Sequence, residues 1–265
     1  MYSGIAIYNT ENIDSKTACE LGEKLLIDIG MPITGAGYYK MLKNGDHSGD
    51  HDIIEISFPD LREKINNNEV TAFRIYSEQK DAQPWSASFG YMTNEFGGFN
   101  YIDVQYPSIS DDSKATTEFL ISLSDNITCS YGIKYRSDKI TKVFYYATGD
   151  NMVNIYEYEN ASLFKRECPG RFRGQERYKN TMLRMVYPIN MINNHHLNIL
   201  IESVSLREWI SSNEKHGSLQ ELNNNLWLWT VDDTELDEIN RHLGEAGVLI
   251  SWKPLPTKKT VRKLP

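Results

Sequence analysis

The sequence predicts an α+β protein in which helices pack on a mainly antiparallel sheet, arranged as two closely associated halves. Two observations indicate this class. In the first half, strand-like segments at 71–76, 85–92 and 99–106 follow one another through short hairpin-like links, which is typical of antiparallel pairing. In the second half, residues 216–250 have the pattern of a strand, a helix and a further strand.

The other elements of the first half follow from hydrophobic spacing. Residues 14–29 place Ala18, Leu21, Leu25 and Ile29 on one face of a helix. We also expect strands at 2–8, 53–58 and 142–147, helices at 61–65 and from 111–113 to 127, and a polar loop at 43–52.

The second half, 181–252, follows an irregular stretch at 151–180 that is interpreted as a connector from the N-terminal half, 1–150. We expect a strand at 182–187 and helices between 195 and 213. Two capping-box patterns, Ser205-x-x-Glu208 and Asp232-x-x-Glu235, predict helix starts, and Gly247 predicts the end of the last helix before a strand at 248–250. Residues 253–265 are predicted to form a basic, flexible tail.

The strand at 226–231 contains an alternating pattern of large side chains. Because side chains on a strand point to opposite faces in turn, Trp227 and Trp229 are predicted on one face and Leu226 and Leu228 on the other. One of these faces is expected to be core, and a helix is expected to cover the other.

Charge is unevenly distributed along the 265 residues. The net charge is −8, yet residues 253–265 carry five cations and no anion, which leaves −13 on residues 1–252. An acidic body repels the phosphates of nucleic acid and favours a basic protein partner. The basic cluster Lys165, Arg166, Arg171, Arg173, Arg177 and Lys179 is the one local feature in favour of nucleic acid, and the acidic remainder opposes it.

The cysteines and the hydropathy pattern bear on the cellular compartment. Cys19, Cys129 and Cys168 lie far apart, with no CxxC spacing. The N-terminal residues lack the features of a secretory signal, and no apolar run approaches the length of a membrane span. We therefore expect a reduced, soluble, cytoplasmic protein.

One loop concentrates side chains that bind metals, namely Asp46, His47, Asp50, His51 and Asp52. Its glycines and serine fit an exposed turn at least as well, so no metal is assigned. The alternative is a metal-dependent enzyme centred on His47, Asp50 and His51, which would need further ligands from elsewhere in the chain.

No pattern in the sequence predicts a catalytic residue or a cofactor site. A GxSxG elbow is absent, and the glycines at 97 and 98 lie between two strands, where a hairpin loop is expected rather than a phosphate cradle. For His195 and His196, adjacent on a predicted helix, we expect one ring to pack against a strand and the other to be exposed.

Four blocks of the sequence, spread over both halves, form a distinctive set. They are WSASFGYMTNEFGG at 85–98, MLRMVYPINMINNHHL at 182–197, SLREWI at 205–210, and 217–250 with its LWLW strand, acidic-capped helix and GVLI ending. Together these blocks resemble the immunity protein 52 family of bacterial polymorphic toxin systems. The resemblance implies a protein that binds and neutralises a cognate toxin domain in the producing cell without catalysis. It implies no catalytic residues, and it transfers no interface residues.

If the partner is a basic toxin domain, acidic surface residues are the expected contacts. We predict contributions from Asp46, Asp50 and Asp52 in the polar loop and from Asp111 and Asp112 at a helix start. A further alternative is an interaction module whose partner is not a toxin.

Overall fold

A computed structural model of the chain describes residues 1–45, 50–78, 83–96, 98–108, 112–126, 129–170 and 173–254, without the side chains of Asp112 and Ser113. Ten of the described strands form one sheet in the order β11-β12-β8-β7-β1-β6-β5-β4-β2-β3, in which every neighbouring pair is antiparallel. The strands are β1 (Tyr2–Tyr8), β2 (Gly35–Met41), β3 (His51–Ile56), β4 (Phe73–Ser77), β5 (Ala87–Met92), β6 (Tyr101–Pro107), β7 (Tyr131–Ser137), β8 (Ile189–Asn193), β9 (Leu200–Ile201), β10 (Val204–Ser205), β11 (Ser218–Glu221) and β12 (Leu226–Thr230). The predicted fold class is confirmed.

The sheet continues from the N-terminal strands into the C-terminal ones. β1 lies near its centre and pairs along its whole length with β6 on one side and β7 on the other. β7 then pairs with β8 over Gly132–Lys134 and Ile189–Met191, which joins β8, β12 and β11 to the same sheet. The short strands β9 and β10 form a separate hairpin.

Helices cover both faces of the sheet. They are α1 (Ser15–Asp28), α2 (Phe58–Asn66), α3 (Asp112–Asn126), α4 (Ile140–Thr148), α5 (Ala161–Glu167), α6 (Asn194–Leu197), α7 (Leu206–Ser211) and α8 (Leu236–Glu245). Residues from α1, α2 and α3 build the core on one face, and residues from α4, α5, α7 and α8 build the core on the other. Within the described ranges, no helix is long and apolar enough to cross a membrane.

Several local predictions are confirmed. α1 buries Ala18, Leu21 and Leu25, and Asp14 caps it by accepting a hydrogen bond from the Thr17 amide at 2.7 Å. The Ser205–Glu208 capping box forms as expected at the start of α7. Trp229 is fully buried in one core, and Leu226 and Leu228 are buried in the opposite core. Trp227 packs, partly buried, against the same core as Trp229.

The strand predicted at 142–147 is wrong, because these residues belong to helix α4. Val143, Tyr146 and Ala147 are buried at helical spacing, and the helix ends at Gly149 with a left-handed φ of 70°. The β-branched and aromatic residues of KVFYYA suggested a strand, but their spacing also suits a helix packed on β1 and β6. Conversely, β2, β7 and β8 were not predicted.

The second half also differs from expectation at three places. The strand predicted at 248–250 does not form, and of these residues only Leu249 makes a β-bridge. Residues 182–187 form no strand; Leu183 makes one isolated parallel bridge with Leu249. The capping box predicted at Asp232 does not form, because its carboxylate accepts from the Thr234 amide at 2.9 Å and α8 begins only at Leu236. Gly247 does adopt the left-handed backbone expected after that helix, with φ 78°.

Residues 151–180 contribute directly to the core. They hold α5 and two short 3-10 helices, and Phe164, Cys168 and Tyr178 are buried with α4 and α8. After α8, residues 251–253 run beside this stretch: the Asn160 amide donates to the Ser251 carbonyl and the Lys253 amide donates to the Tyr158 carbonyl, both at 2.8 Å. The rest of the predicted basic tail, 255–265, lies outside the described residues.

Candidate functional site

The acidic residues predicted to contact a partner are only partly placed by the structure. Asp46, His47 and Asp111 lie outside the described residues, and of Asp112 only the backbone, at the start of α3, is described. Asp50 is half-buried and Asp52 is exposed on the edge strand β3.

The described part of the alternative metal loop is packed against aromatic rings. The His51 ring makes edge contacts with Tyr39 and Phe96, with centroids 5.2 and 5.6 Å apart. Within the described ranges, no group of three or more His, Cys, Asp or Glu side chains is placed to hold a metal ion. Since His47 lies outside those ranges, this leaves the alternative as a hypothesis.

The histidine pair behaves as expected. His195 is exposed, while His196 is fully buried between its hydrogen-bond partners. The Nε2 atom of His196 lies 2.9 Å from the Tyr178 carbonyl, and its Nδ1 accepts from the Asn193 amide at 3.2 Å. Burial lowers the pKa of His196 from 6.5 to about 4, so the ring is neutral at pH 7.

Three of the six residues of the basic cluster at 165–179 are engaged with carboxylates. Lys165 pairs with Asp150 at 2.8 Å, Lys179 pairs with Glu176 at 2.7 Å, and Arg177 forms an ion pair with Glu167. These pairs reduce the positive charge that the cluster can offer to phosphates.

A groove of about 780 Å³ opens between residues 155–158, helix α8 and residues 252–254. We call it the acidic groove. Its walls are Ile155, Tyr156, Glu157, Tyr158, Asp237, Glu238, Arg241, Glu245, Trp252 and Pro254. No segment of the chain that contributes to it was predicted to be a site.

Three aromatic rings form one wall of the acidic groove. Tyr156 and Tyr158 stack with centroids 5.2 Å apart and planes 7° from parallel, and the Trp252 ring lies 5.3 Å from that of Tyr158. Both phenols are anchored, since Tyr156 donates to the Val186 carbonyl at 2.9 Å and Tyr158 donates to Asp237 at 2.7 Å. Burial raises the pKa of both phenols, so they remain neutral donors.

Helix α8 forms the opposite wall with its polar stripe. Its buried residues Ile239 and Leu243 face the core. The Asn240 side chain fixes the helix by accepting from the Val186 amide at 2.8 Å and donating to the Val186 carbonyl at 2.9 Å. Gly244 lets the helix approach Trp252, because a methyl group at that position would collide with the indole.

Few positive charges of the described residues lie close enough to pair with the carboxylates of the groove. Glu157, Glu238 and Glu245 are exposed and make no ion pair with any residue in the described ranges, and the same is true of Arg241. Asp237 and Glu238 lie in the first turn of α8, where the helix dipole favours an anion. Glu245 lies at the opposite end, where the dipole disfavours one, so helix stability does not explain its carboxylate.

A buried carboxylate holds the aromatic wall in place from below. Glu159 accepts hydrogen bonds from the Ile155 amide at 2.9 Å and the Tyr156 amide at 3.4 Å. It also accepts from the Tyr146 hydroxyl at 2.6 Å and lies 3.7 Å from the buried Arg184. The shape of the groove therefore depends on a charged cluster inside the protein.

Sequence reasoning missed this groove because its parts are distant along the chain. The available signal was Tyr156-Glu157-Tyr158-Glu159, an alternation of aromatic and acidic residues within a stretch interpreted as a connector. Nothing local showed that it would meet Trp252 and α8.

Comparison with known proteins supports the fold. The solved structure of Pseudomonas aeruginosa T6SS protein PA0821 is similar to this chain with a TM-score of 0.58, and the match covers 97% of this chain and 76% of that one at 10% sequence identity. No protein-family model matches the sequence, and no curated protein matches it significantly. The comparisons therefore show a shared fold with a T6SS protein and no family membership.

Proposed function

We propose that this protein is a non-catalytic immunity protein that binds and neutralises a cognate toxin domain in the cytoplasm. The observation that carries the proposal is the similarity of 97% of the chain to a T6SS protein structure, which is consistent with a toxin and immunity context. The four sequence blocks that resemble the immunity protein 52 family support the more specific assignment.

The surface of the molecule suits this role. Residues 1–252 carry a net charge of −13, which accelerates association with a basic protein. The acidic groove adds half-buried tyrosine and tryptophan side chains, the residue types that contribute most to affinity in protein interfaces. Exposed carboxylates around these rings supply the polar rim that such interfaces have.

Co-expression with the product of the neighbouring gene tests the proposal. Cells that express this candidate toxin alone should stop growing, and co-expression of the full chain should restore growth. The purified proteins should co-elute as a stable complex, which for an interface of ordinary size buries roughly 1,200–2,000 Å² in total. Failure to protect against that toxin, with both proteins expressed, would refute the proposal for this pair.

The polar loop provides a second test of the interface. Reversing the charges of Asp46, Asp50 and Asp52 should slow toxin association and flatten its salt dependence, because rim charges act mainly on the association rate. Stopped-flow measurements at low salt check this. Unchanged rates would exclude the loop from the interface and leave the acidic groove as the candidate surface.

A further inference from the structure

We infer that the acidic groove binds a cationic, arginine-bearing segment of the protein partner. This inference rests on the proposed function, because it assumes a protein partner and names the chemistry by which one surface recognises it. The groove has three properties that select such a segment: flat aromatic faces, carboxylates with no ion-pair partner among the described residues, and phenols anchored by hydrogen bonds.

The aromatic wall favours a planar cation. A guanidinium stacks on tyrosine and tryptophan faces through cation–π attraction, and its plane matches a ring better than a compact ammonium does. Tyr156 and Trp252 are half-buried and offer such a surface to the groove, while the buried Tyr158 packs against both rings and supports them. Because hydrogen bonds anchor both phenols, little conformational entropy is lost when a ligand stacks there.

The negative charge of the groove walls favours a ligand with a positive charge. Among the described residues that line the groove, four are carboxylates (Glu157, Asp237, Glu238 and Glu245) and one, Arg241, is a cation. None of these four carboxylates has an ion-pair partner in the described ranges, and only Asp237 accepts a hydrogen bond from a groove side chain, that of Tyr158. A guanidinium can therefore form two parallel hydrogen bonds with one of the others while its plane stacks on a ring. The carboxylates would repel an anionic segment, and a neutral segment would form no ion pair with them.

The groove also has suitable dimensions for an extended segment. Its volume of about 780 Å³ lies within the usual range for ligand sites, and it runs between two elements rather than closing into a cavity. Glu245 and Glu238 lie about two turns apart on α8, roughly 10 Å along the axis, so more than one cationic side chain can be engaged.

A peptide titration tests the groove without the toxin. The full chain is titrated at low salt with acetyl-Gly-Arg-Gly-Arg-Gly-amide while the indole N–H of Trp252 is followed by NMR. We expect saturable shifts at Trp252 with this peptide and none with the same peptide carrying Gln for Arg. The triple variant Glu157→Gln, Glu238→Gln, Glu245→Gln should weaken binding by about tenfold or more. The matched control Glu20→Gln, Glu63→Gln, Glu221→Gln removes the same charge from exposed sites elsewhere and should bind like wild type.

The outcomes separate this inference from the proposed function. If the wild-type chain protects cells and the groove triple variant protects and binds the toxin equally well, the groove assignment is wrong while the immunity function stands. If the wild-type chain does not protect but the peptide binds as expected, the immunity function fails while the cation site remains. Peptide binding that appears only after Lys258, Lys259, Arg262 and Lys263 are changed to Gln would overturn the partner assignment in favour of the chain's own basic residues.

Discussion

Two buried arginines, Arg74 on β4 and Arg184 in the segment that precedes β8, are stabilised in different ways. Arg74 on β4 donates from Nη2 to both carboxylate oxygens of Asp103, at 2.8 and 2.9 Å, and from Nη1 to Ser88 at 2.9 Å. Arg184 has only a distant carboxylate, with its Nε 3.7 Å from Glu159. Its Nη1 donates to the Tyr146 carbonyl at 2.7 Å, while Nε and Nη2 have no hydrogen-bond partner among the described residues.

Contacts with aromatic rings partly replace, at Arg184, the ion pair that stabilises Arg74. The guanidinium of Arg184 lies 3.6 Å from the ring centroid of Tyr146 and 4.2 Å from that of Phe164, whereas Arg74 lies 4.9 Å or more from its nearest rings. Arg74 is therefore held mainly by a direct ion pair, and Arg184 by rings and a carbonyl. The carboxylate of Glu159 is left available to bind the backbone of 155–156 and so to shape the acidic groove.

The largest expected effect comes from breaking the direct ion pair. Asp103→Asn leaves the guanidinium of Arg74 buried without a compensating charge, which should reduce the free energy of unfolding by about 3–5 kcal/mol. Urea denaturation at pH 7 measures this. The exposed Asp52→Asn serves as the matched control and should change stability little. A loss under about 1 kcal/mol for Asp103→Asn would mean that the ion pair is not what holds Arg74.

Acidification should act on the surroundings of Arg184. His196 lies against Tyr131, whose hydroxyl accepts from the Arg184 amide at 3.2 Å. Because the pKa of His196 falls from 6.5 to about 4 on folding, the unfolded chain binds more protons between these values, and stability is lost as pH falls through this window. The shift corresponds to about 3 kcal/mol. Urea denaturation at pH 7 and pH 4 checks this, and His196→Gln should lose most of this pH dependence.

Glu159 should show a smaller effect on stability and a larger one on the groove. Glu159→Gln keeps an oxygen that can accept from Ile155 and Tyr146, so we expect a loss of only about 1–2 kcal/mol. The Trp252 indole resonance should nevertheless shift, because the aromatic wall loses its charged anchor. A loss as large as that of Asp103→Asn, measured by the same urea denaturation, would remove the distinction between the two arginines.

Glu159→Gln should also change how the stability of the protein depends on pH. Burial raises the pKa of Glu159 above 4.5, and its hydrogen bonds and Arg184 only partly oppose this. The folded protein therefore gains stability from this group as pH falls from the raised value to 4.5, with the opposite sign to His196. Glu159→Gln should lose stability more steeply on acidification than wild type. Parallel curves would show that this carboxyl does not titrate differently in the two states.

The last prediction concerns the close contact between α8 and Trp252. Gly244→Ala places a methyl group in the space of the Trp252 indole, and we expect a loss of about 1–3 kcal/mol together with a changed Trp252 environment. Gly247→Ala is not a matched control, since its φ of 78° strains any side chain. Glu245→Ala, exposed beside Gly244, serves instead and should leave stability nearly unchanged.

The sequence by itself determined the fold class and those features that follow from backbone periodicity. The alternation at 226–229 fixed which tryptophans and leucines share a face, and the spacing in 14–29 fixed the buried side of α1, because both depend on neighbours within one element. The capping box at Ser205 is equally local.

Only the tertiary structure decided the identity of 140–148 as a helix, the pairing of β7 with β8, and the acidic groove. The apolar residues of KVFYYA are compatible with a strand as well as with a helix. Packing on β1 and β6 selects the helix. The groove joins residues 155–158 to α8 and Trp252. Glu159, which anchors it, lies next to the first of these segments and meets Arg184 from the stretch before β8. Contacts between residues so far apart leave no pattern in a local window of sequence, because the energy that selects them arises only when the whole core is assembled.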